Sequence, residues 1–393
     1  MTRTFVVDAV RTPIAKFLGS YSPLSAVDLG AATIRALLQR TGVPADEIGE
    51  VLFGQARQLG GGPNPARQVT LAAGLPEAVP ATTINKACGS SLKAIDMGRA
   101  ALLLDGHDFV VAGGMEHMTN IPFLVPNMRQ GLRLGHQKVL DGNYQDGFTC
   151  AILKEPMGMT AEYVADDLGI GREEQDAFAL ESHRRAASAQ QSGAFEAEIV
   201  PVEVATRKKT TTITTDEHVR PDVTLEGLQK LPPVFRPDGG TVHAGNSSGI
   251  TDGAAAVLMA TEAAVERHGL EPLAEVGASA TAGLSPRVMG LGPVPATQKL
   301  FEKTGLGIDD FDLVEMNEAF AAQMLGCMRD LPFDRQIVNV NGGAIALGHP
   351  IGATGARIVT TLLHAMKARG SKRGLASLCM SGGMGMSIEF RRA

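Results

Sequence analysis

The chain contains no tryptophan and few aromatic residues of any kind, 3 tyrosines and 14 phenylalanines in 393 residues. A core of that size with so few large rings must be filled by close approach of backbones. The 46 glycines supply this, against a usual share of about 7%. Cysteine is scarce: Cys88, Cys150, Cys327 and Cys379 have neither CxxC spacing nor zinc-type pairing with histidine. That excludes a disulfide scaffold, predicts no metal site, and points to a reducing cytoplasm. No block of one charge exists; the net charge is −6, and nucleic acid is not an expected partner. No apolar run is long enough to span a bilayer, so no membrane partner is expected. The chain opens directly on Thr4-Phe5-Val6-Val7-Asp8-Ala9-Val10, a strand rather than a charged leader. No GxGxxG follows a strand, and Gly348 precedes His349 instead of a Walker lysine. Nicotinamide binding and a Walker phosphate loop are thereby excluded, and no permanently bound cofactor is expected.

What is present is a duplication. Thr41-Gly42 through Val51-Leu52-Phe53 matches Thr304-Gly305 through Leu313-Val314-Glu315: a helix-ending glycine, a connector with two acids, then a strand. The offset is 263 residues (304 − 41), and the same offset carries Cys88 to Ile351 and Ala112-Gly113-Gly114 to the run that leads into Cys379. Two copies of one α/β unit follow. The first has strands at Phe5–Val10, Val51–Phe53, Thr82–Ile84 and Phe109–Ala112, with helices at Ala26–Gln39, Pro65–Leu71 and Gly89–Leu104. The second has strands at Ala274–Ser279, Leu313–Met316, Ile337–Val340, Leu375–Cys379 and Gly385–Phe390. Its helices are Pro295–Lys303, Ala319–Met328 and Gly352–Arg369. The alternation predicts parallel sheets covered on both faces. Between the copies lies an insertion with helices at Met159–Asp167 and Arg172–Gln191. Its basic residues Arg207, Lys208, Lys209 and Arg220 read as a lid for an anionic ligand, or more plainly as a solvated surface.

The chemistry gathers at three Gly-rich turns. Asn85-Lys86-Ala87-Cys88-Gly89-Ser90-Ser91 joins a β-branched strand to a helix. Its cysteine stands at a helix N-terminus, where a thiolate is favoured; the plainer reading is a small buried apolar residue. His349 sits between Gly348 and Pro350, in the turn that matches Cys88 by the repeat, placed to take the Cys88 proton. Cys379 precedes Met380-Ser381-Gly382-Gly383 at a strand end. One histidine with two cysteines is not protease chemistry. It suits a reaction in which one thiol carries an acyl group and another moves a proton at carbon. Backbone N–H groups of the turns and Asn317 would serve as oxyanion donors.

The motifs VDAVRTP, NKACGSSLKA, AGGMEHM, GMTAE, AGNSSGITDGAAA, NEAFA, NVNGGAIALGHPIGATGARI and LCMSGGMG occur in this order along nearly the whole chain. In them the chain resembles the thiolases. The resemblance implies a five-layered α-β-α-β-α core from two duplicated halves with an inserted loop domain. The halves would be residues 1–118 and 273–393, the coenzyme A-binding loop domain 119–245, and a returning linker and helix 246–272. It implies acyl transfer through a cysteine thioester, joining two acetyl-CoA molecules into acetoacetyl-CoA or cleaving a 3-ketoacyl-CoA with coenzyme A, in a homotetramer acting in fatty-acid metabolism. Cys88 resembles the nucleophile and His349 its base. Cys379 resembles the acid/base at the α-carbon, and Asn317 the holder of an oxyanion-hole water. The backbones of Cys88 and Ser381 would form oxyanion donors. Met157, Arg220, Phe235, Ala244, Ser248, Ala319 and Phe320 match coenzyme A contacts, Arg220 facing a phosphate. Ser381 departs from the family's usual glycine, and Pro156 from the histidine of many short-chain members; it looks more like the degradative, longer-chain ones. Ketoacyl synthases lack a second catalytic cysteine, so Cys379 argues against them. A non-catalytic acyl-CoA-binding protein is the remaining alternative. Cys150 and Cys327 read as packing residues.

Overall fold

The computed structural model describes residues 3–393. In chain order the first half contributes β1 (Thr4–Arg11), β2 (Ala15–Lys16), α1 (Ala26–Thr41), β3 (Ile48–Gly54), α2 (Pro65–Ala72), β4 (Ala81–Ile84), α3 (Ser90–Leu104) and β5 (Phe109–His117). The insertion carries β6 (Phe123–Leu124), β7 (Leu140–Asp141), α4 (Met157–Leu168), α5 (Arg172–Gln191), the hairpin β8 (Val202–Ala205) with β9 (Thr210–Ile213), and α6 (Leu225–Gln229). Then come β10 (Thr251–Thr261) and α7 (Glu262–His268). The second half contributes β11 (Ala274–Gly283), α8 (Pro293–Thr304), β12 (Leu313–Met316), α9 (Ala321–Asp330), α10 (Ala344–Leu347), α11 (Thr354–Arg369), β13 (Arg373–Met380) and β14 (Met384–Arg391).

The repeat appears as one pairing scheme used twice. The sheet order is β12-β13-β14-β11-β1-β10-β5-β3-β4, and among the described residues the strands of the two halves pair with each other at the short β1–β11 ladder. In the first half β1 pairs antiparallel with β10, β10 antiparallel with β5, and β5 and β4 parallel with β3. In the second, β11 pairs antiparallel with β14, β14 antiparallel with β13, and β13 parallel with β12. The sheet is therefore mixed, not parallel. The β13–β14 link explains why: Gly382 and Gly383 take positive φ of 89° and 83°, turning the chain straight back as a hairpin.

Two further expectations are corrected. Residues 246–272, read as a linker and helix, contain β10, all of whose residues are buried in the middle of the first half. Its Ala-rich TDGAAAVLMAT run is apolar on both faces, as a strand covered on both sides must be. Ile337–Val340 is not a strand but a single bridge from Val338 to Val314. Asn339 there has φ +47°. Its side-chain amide takes over the edge pairing, accepting from the Met316 N–H and donating to the Met316 carbonyl, each at 2.8 Å.

The layers follow from the helices. Helices α1 and α2 pack outside the first half and α8 and α9 outside the second, while α3 and α11 pack on each other and reach strands of both halves. Buried Leu92, Ile95, Ile358, Val359 and Leu362 belong to this central layer. The two helices approach so closely at Gly355 that an added Cβ would collide with the Leu92 backbone N and sit 2.6 Å from the Leu92 Cβ. Both central helices start at the turns that hold Cys88 and His349, so the middle layer aims both turns at one place.

Candidate active site

Cys88 lies in a tightly cinched turn after β4. The Asn85 side chain accepts from the Ala87 N–H at 3.0 Å and donates to the Ala56 carbonyl at 3.0 Å. Ser90 Oγ accepts from the Lys86 N–H at 2.9 Å and donates to the Ala87 carbonyl at 2.6 Å. Ala87 is held at φ +50°, a region alanine avoids, at a cost of about 1–3 kcal/mol. The strained residue turns the half-buried Cys88 toward the helix α3 N-terminus. The helix end does not by itself make a thiolate. Burial raises the Cys88 pKa and outweighs the opposing pull of the Ser381 N–H, of Arg57 and of its own N–H.

His349 is 7% exposed and its N–H donates to the Gly249 carbonyl at 3.1 Å. Its Nδ1 lies 2.6 Å from Thr354 Oγ1, and Thr354 Oγ1 donates its own proton to the Pro350 carbonyl at 2.9 Å. The hydroxyl has one proton and that proton is committed, so it accepts from Nδ1–H. Nε2 is then the bare nitrogen of the neutral ring. Burial, with Arg357 and Arg57 nearby, drives the His349 pKa down to about 3. Cys379, at the end of β13, is 1% exposed; burial and the neighbouring Cys88 and Cys327 push its thiol well above the ordinary range. The resting arrangement is two thiols and one neutral imidazole.

A cavity of about 550 Å³ joins these groups, lined by Cys88, His349, Cys379 and Ser381. Ser381 is not among the positive-φ residues of its hairpin, so a side chain is accommodated where the adjacent glycines carry the turn. Met157, Phe235, Ala319 and Phe320 line an apolar stretch of the same cavity, with the Phe235 and Phe320 rings edge to face at 6.4 Å. Ala244, Ser248 and the exposed Arg220 complete the lining that sequence reading assigned to coenzyme A. Asn317 stands one step back: fully buried, outside the cavity wall, with neither Oδ1 nor Nδ2 hydrogen-bonded among the described residues.

Of the basic residues read as a lid, only Arg220 reaches the cavity. Arg207, Lys208 and Lys209 sit exposed on the β8–β9 turn, where a hairpin tip projects them into solvent. Cys150 and Cys327 are buried and free, Cys327 pushed up to about 12 by burial. Among the described residues no cluster has metal-ligand geometry and no helix is long and apolar enough to cross a membrane. Sequence reading missed Thr354, Arg57, Phe148 and His218. Thr354 was visible five residues after His349 as a helix-start hydroxyl. The other three carry no local pattern and are brought to the cavity only by the fold.

Comparison with known proteins agrees with this architecture. The family model described as thiolase, N-terminal domain, matches residues 4–263, and that of the thiolase C-terminal domain matches residues 270–392. An acetyl-CoA acetyltransferase of Chromobacterium violaceum is 50% identical over 98% of this chain and 99% of its own length. Among solved structures, the Bacillus anthracis acetyl-CoA acetyltransferase superposes with a TM-score of 0.98 at 40% identity, covering 100% of this chain and 99% of that one. Human mitochondrial 3-ketoacyl-CoA thiolase superposes with a TM-score of 0.96 at 42% identity, with coverage of 100% and 99%. Two family models spanning nearly the whole chain, and full-length relatives on the same duplicated core, place it plainly: the chain belongs to the thiolase family.

Proposed function

We propose that the protein is an acetyl-CoA C-acetyltransferase of the thiolase type, with acetoacetyl-CoA as the simplest product of condensation and other 3-ketoacyl-CoAs as substrates of the reverse thiolysis. The observation that carries this is the convergence of two thiols and a neutral imidazole with a bare Nε2 on one cavity. In condensation, His349 Nε2 takes the Cys88 proton as the sulfur attacks the acyl carbon, and coenzyme A leaves as the thiol with the proton of Cys379, which is left as the thiolate. Cys379, as the thiolate, then removes a proton from the methyl of a second acetyl-CoA. The resulting enolate attacks the thioester on Cys88 and displaces its sulfur, which recovers its proton from His349. In thiolysis Cys379 acts as the thiol, its resting form, and returns a proton to the departing acetyl-CoA. The N–H groups of Cys88 and Ser381 and the amide of Asn317, through a water, serve the developing oxyanions. The apolar wall of Met157, Phe235 and Phe320 suits the pantetheine, and Arg220 a phosphate of the nucleotide.

The test is thiolysis of a 3-ketoacyl-CoA series beginning with acetoacetyl-CoA. Intact mass after acyl-CoA treatment should find no acyl-enzyme in Cys88→Ala and a persistent one in Cys379→Ala. Equal loss of acylation in both variants rejects the division of roles, and no turnover of any 3-ketoacyl-CoA by the unmodified protein leaves only acyl-CoA binding. Assembly as a homotetramer is part of the proposal. It is supported by the apolar Phe123 and Leu134 exposed at 66% and 104% on one inserted segment, and sedimentation checks it. A reducing cytoplasm suits two cysteines that must remain thiols.

A further inference from the structure

Arg57 is a charge in the wrong place for a structural residue. It follows β3, is 2% exposed, and lines the cavity beside Cys88. Its Nε and Nη2 are buried without a hydrogen-bond partner among the described residues. The guanidinium lies over the Phe148 ring, 4.6 Å from its centroid, and packs so tightly on Gly147 that no Cβ fits there. Gly147 and Phe148 line the same cavity. A π-face attracts the cation but accepts none of its hydrogen bonds in the plane.

Three carboxylates act on it through space, Glu116, Asp146 and Asp141, yet none forms an ion pair with it among the described residues. Glu116 is committed elsewhere: it accepts from the N–H groups of Gly352 at 2.8 Å, Arg57 at 3.1 Å and Ala56 at 3.2 Å. Burying an unpaired cation is costly unless an anion meets it. Its field reaches both Cys88 and His349, so it stands at the acyl end of the cavity rather than at the nucleotide end, where the exposed Arg220 lies.

Resting on the thiolase reading, we propose that Arg57 forms a subsite for an anionic acyl tail, and that the preferred 3-ketoacyl-CoA ends in a carboxylate. Such a chain presents two coplanar oxygens to a guanidinium that is already oriented by Phe148 and Gly147, the geometry of a bidentate pair. In thiolysis the Cys88 sulfur, its proton taken by His349, bonds to C3 as the C2–C3 bond breaks. The electrons of that bond go to C2, which takes the Cys379 proton. The carboxylate-ended acyl group stays on Cys88 until coenzyme A removes it.

The experiment compares kcat/KM for 3-ketoadipyl-CoA with that for the uncharged 3-ketohexanoyl-CoA of equal chain length. The unmodified protein should favour the carboxylate by about 10-fold or more. In Arg57→Leu the ratio should fall about 10- to 100-fold, the worth of a charge-assisted hydrogen bond. Arg57→Lys, which keeps the charge and loses the fork, should fall between the two. A ratio near one in the unmodified protein overturns the proposal, and that measurement needs no variant to fold. An unchanged ratio in Arg57→Leu with both substrates slowed also overturns it, assigning Arg57 to the Cys88 thiolate instead. Turnover of neither substrate, nor of acetoacetyl-CoA, rejects the thiolase reading itself.

Discussion

Thr354 Oγ1 stands 2.6 Å from Nδ1 of His349 and gives its own proton to the Pro350 carbonyl, and this decides which ring nitrogen is a base. A neutral imidazole has one proton to place. With it held at Nδ1, Nε2 is free to accept from a thiol. In Thr354→Val the hydroxyl is lost with little change in shape, and the proton redistributes between the two nitrogens. The rate of Cys88 acylation should fall about 10-fold or more, as expected when a base is left in a mixture of tautomers. KM for the acyl-CoA should change much less, and Thr354→Ser should restore the rate. Equal rates for the Val and Ser variants in rapid-quench acylation would reject the assignment.

The pH dependence of acylation follows from the same burial. Burial holds the His349 pKa at about 3, so the ring stays neutral throughout the range where an exposed imidazole would protonate. The sign is fixed: lowering pH removes a base only on passing below its pKa in the folded protein. Single-turnover acylation should therefore remain level as pH falls from 8 through about 6.5, the ordinary histidine value, and decline only well below it. Cys88 is raised by burial, so its alkylation by iodoacetamide should still be climbing above its ordinary pKa of 9.0. An acid limb centred near the ordinary histidine value would mean that His349 is solvated in the working enzyme.

Most of the scaffold was legible because its signals are local. The α5 helix, β12 and the turns around Cys88, His349 and Cys379 follow from periodicity and Gly-rich punctuation. The repeat at an offset of 263 residues carries α3 onto α11 and β5 onto β13. What was not legible depends on partners far along the chain. An Ala-rich run such as Thr251–Thr261 becomes a central strand only because β1 and β5 flank it. Asn339 replaces a strand by folding its amide onto Met316, which no propensity reports. Arg57 resembles any surface arginine until the fold closes Gly147 and Phe148 over it.

Gly355 separates helix propensity from packing. Within a helix, Gly→Ala is normally stabilising by about 0.5–1 kcal/mol; Gly355 is the second residue of α11. Here the new Cβ would collide with the Leu92 backbone N and lie 2.8 Å from the Leu92 Cα, so the central helices must separate. Overpacking of that kind costs about 1–3 kcal/mol, and it wins because backbone cannot step aside as a side chain can. Gly355→Ala should lower the denaturation midpoint and weaken acylation, since α3 and α11 also aim Cys88 and His349. A higher midpoint would mean that the two helices are less tightly apposed than the structure has them.

Asn317 offers the clearest separation of function from stability. It is fully buried, and neither end of its amide has a partner among the described residues. Such a group costs about 1–3 kcal/mol, so a protein selected for stability alone would carry an apolar side chain there. Asn317→Leu should keep or raise the thermal midpoint, with Asn317→Ala as the variant that avoids overpacking. If the amide orients an oxyanion donor, both variants should lose about 10²- to 10³-fold in kcat, the usual worth of one such donor, with substrate binding largely retained. Stability and activity moving in opposite directions supports the role. Activity retained in a folded Asn317→Ala removes Asn317 from the chemistry and leaves its unpaired amide without a purpose.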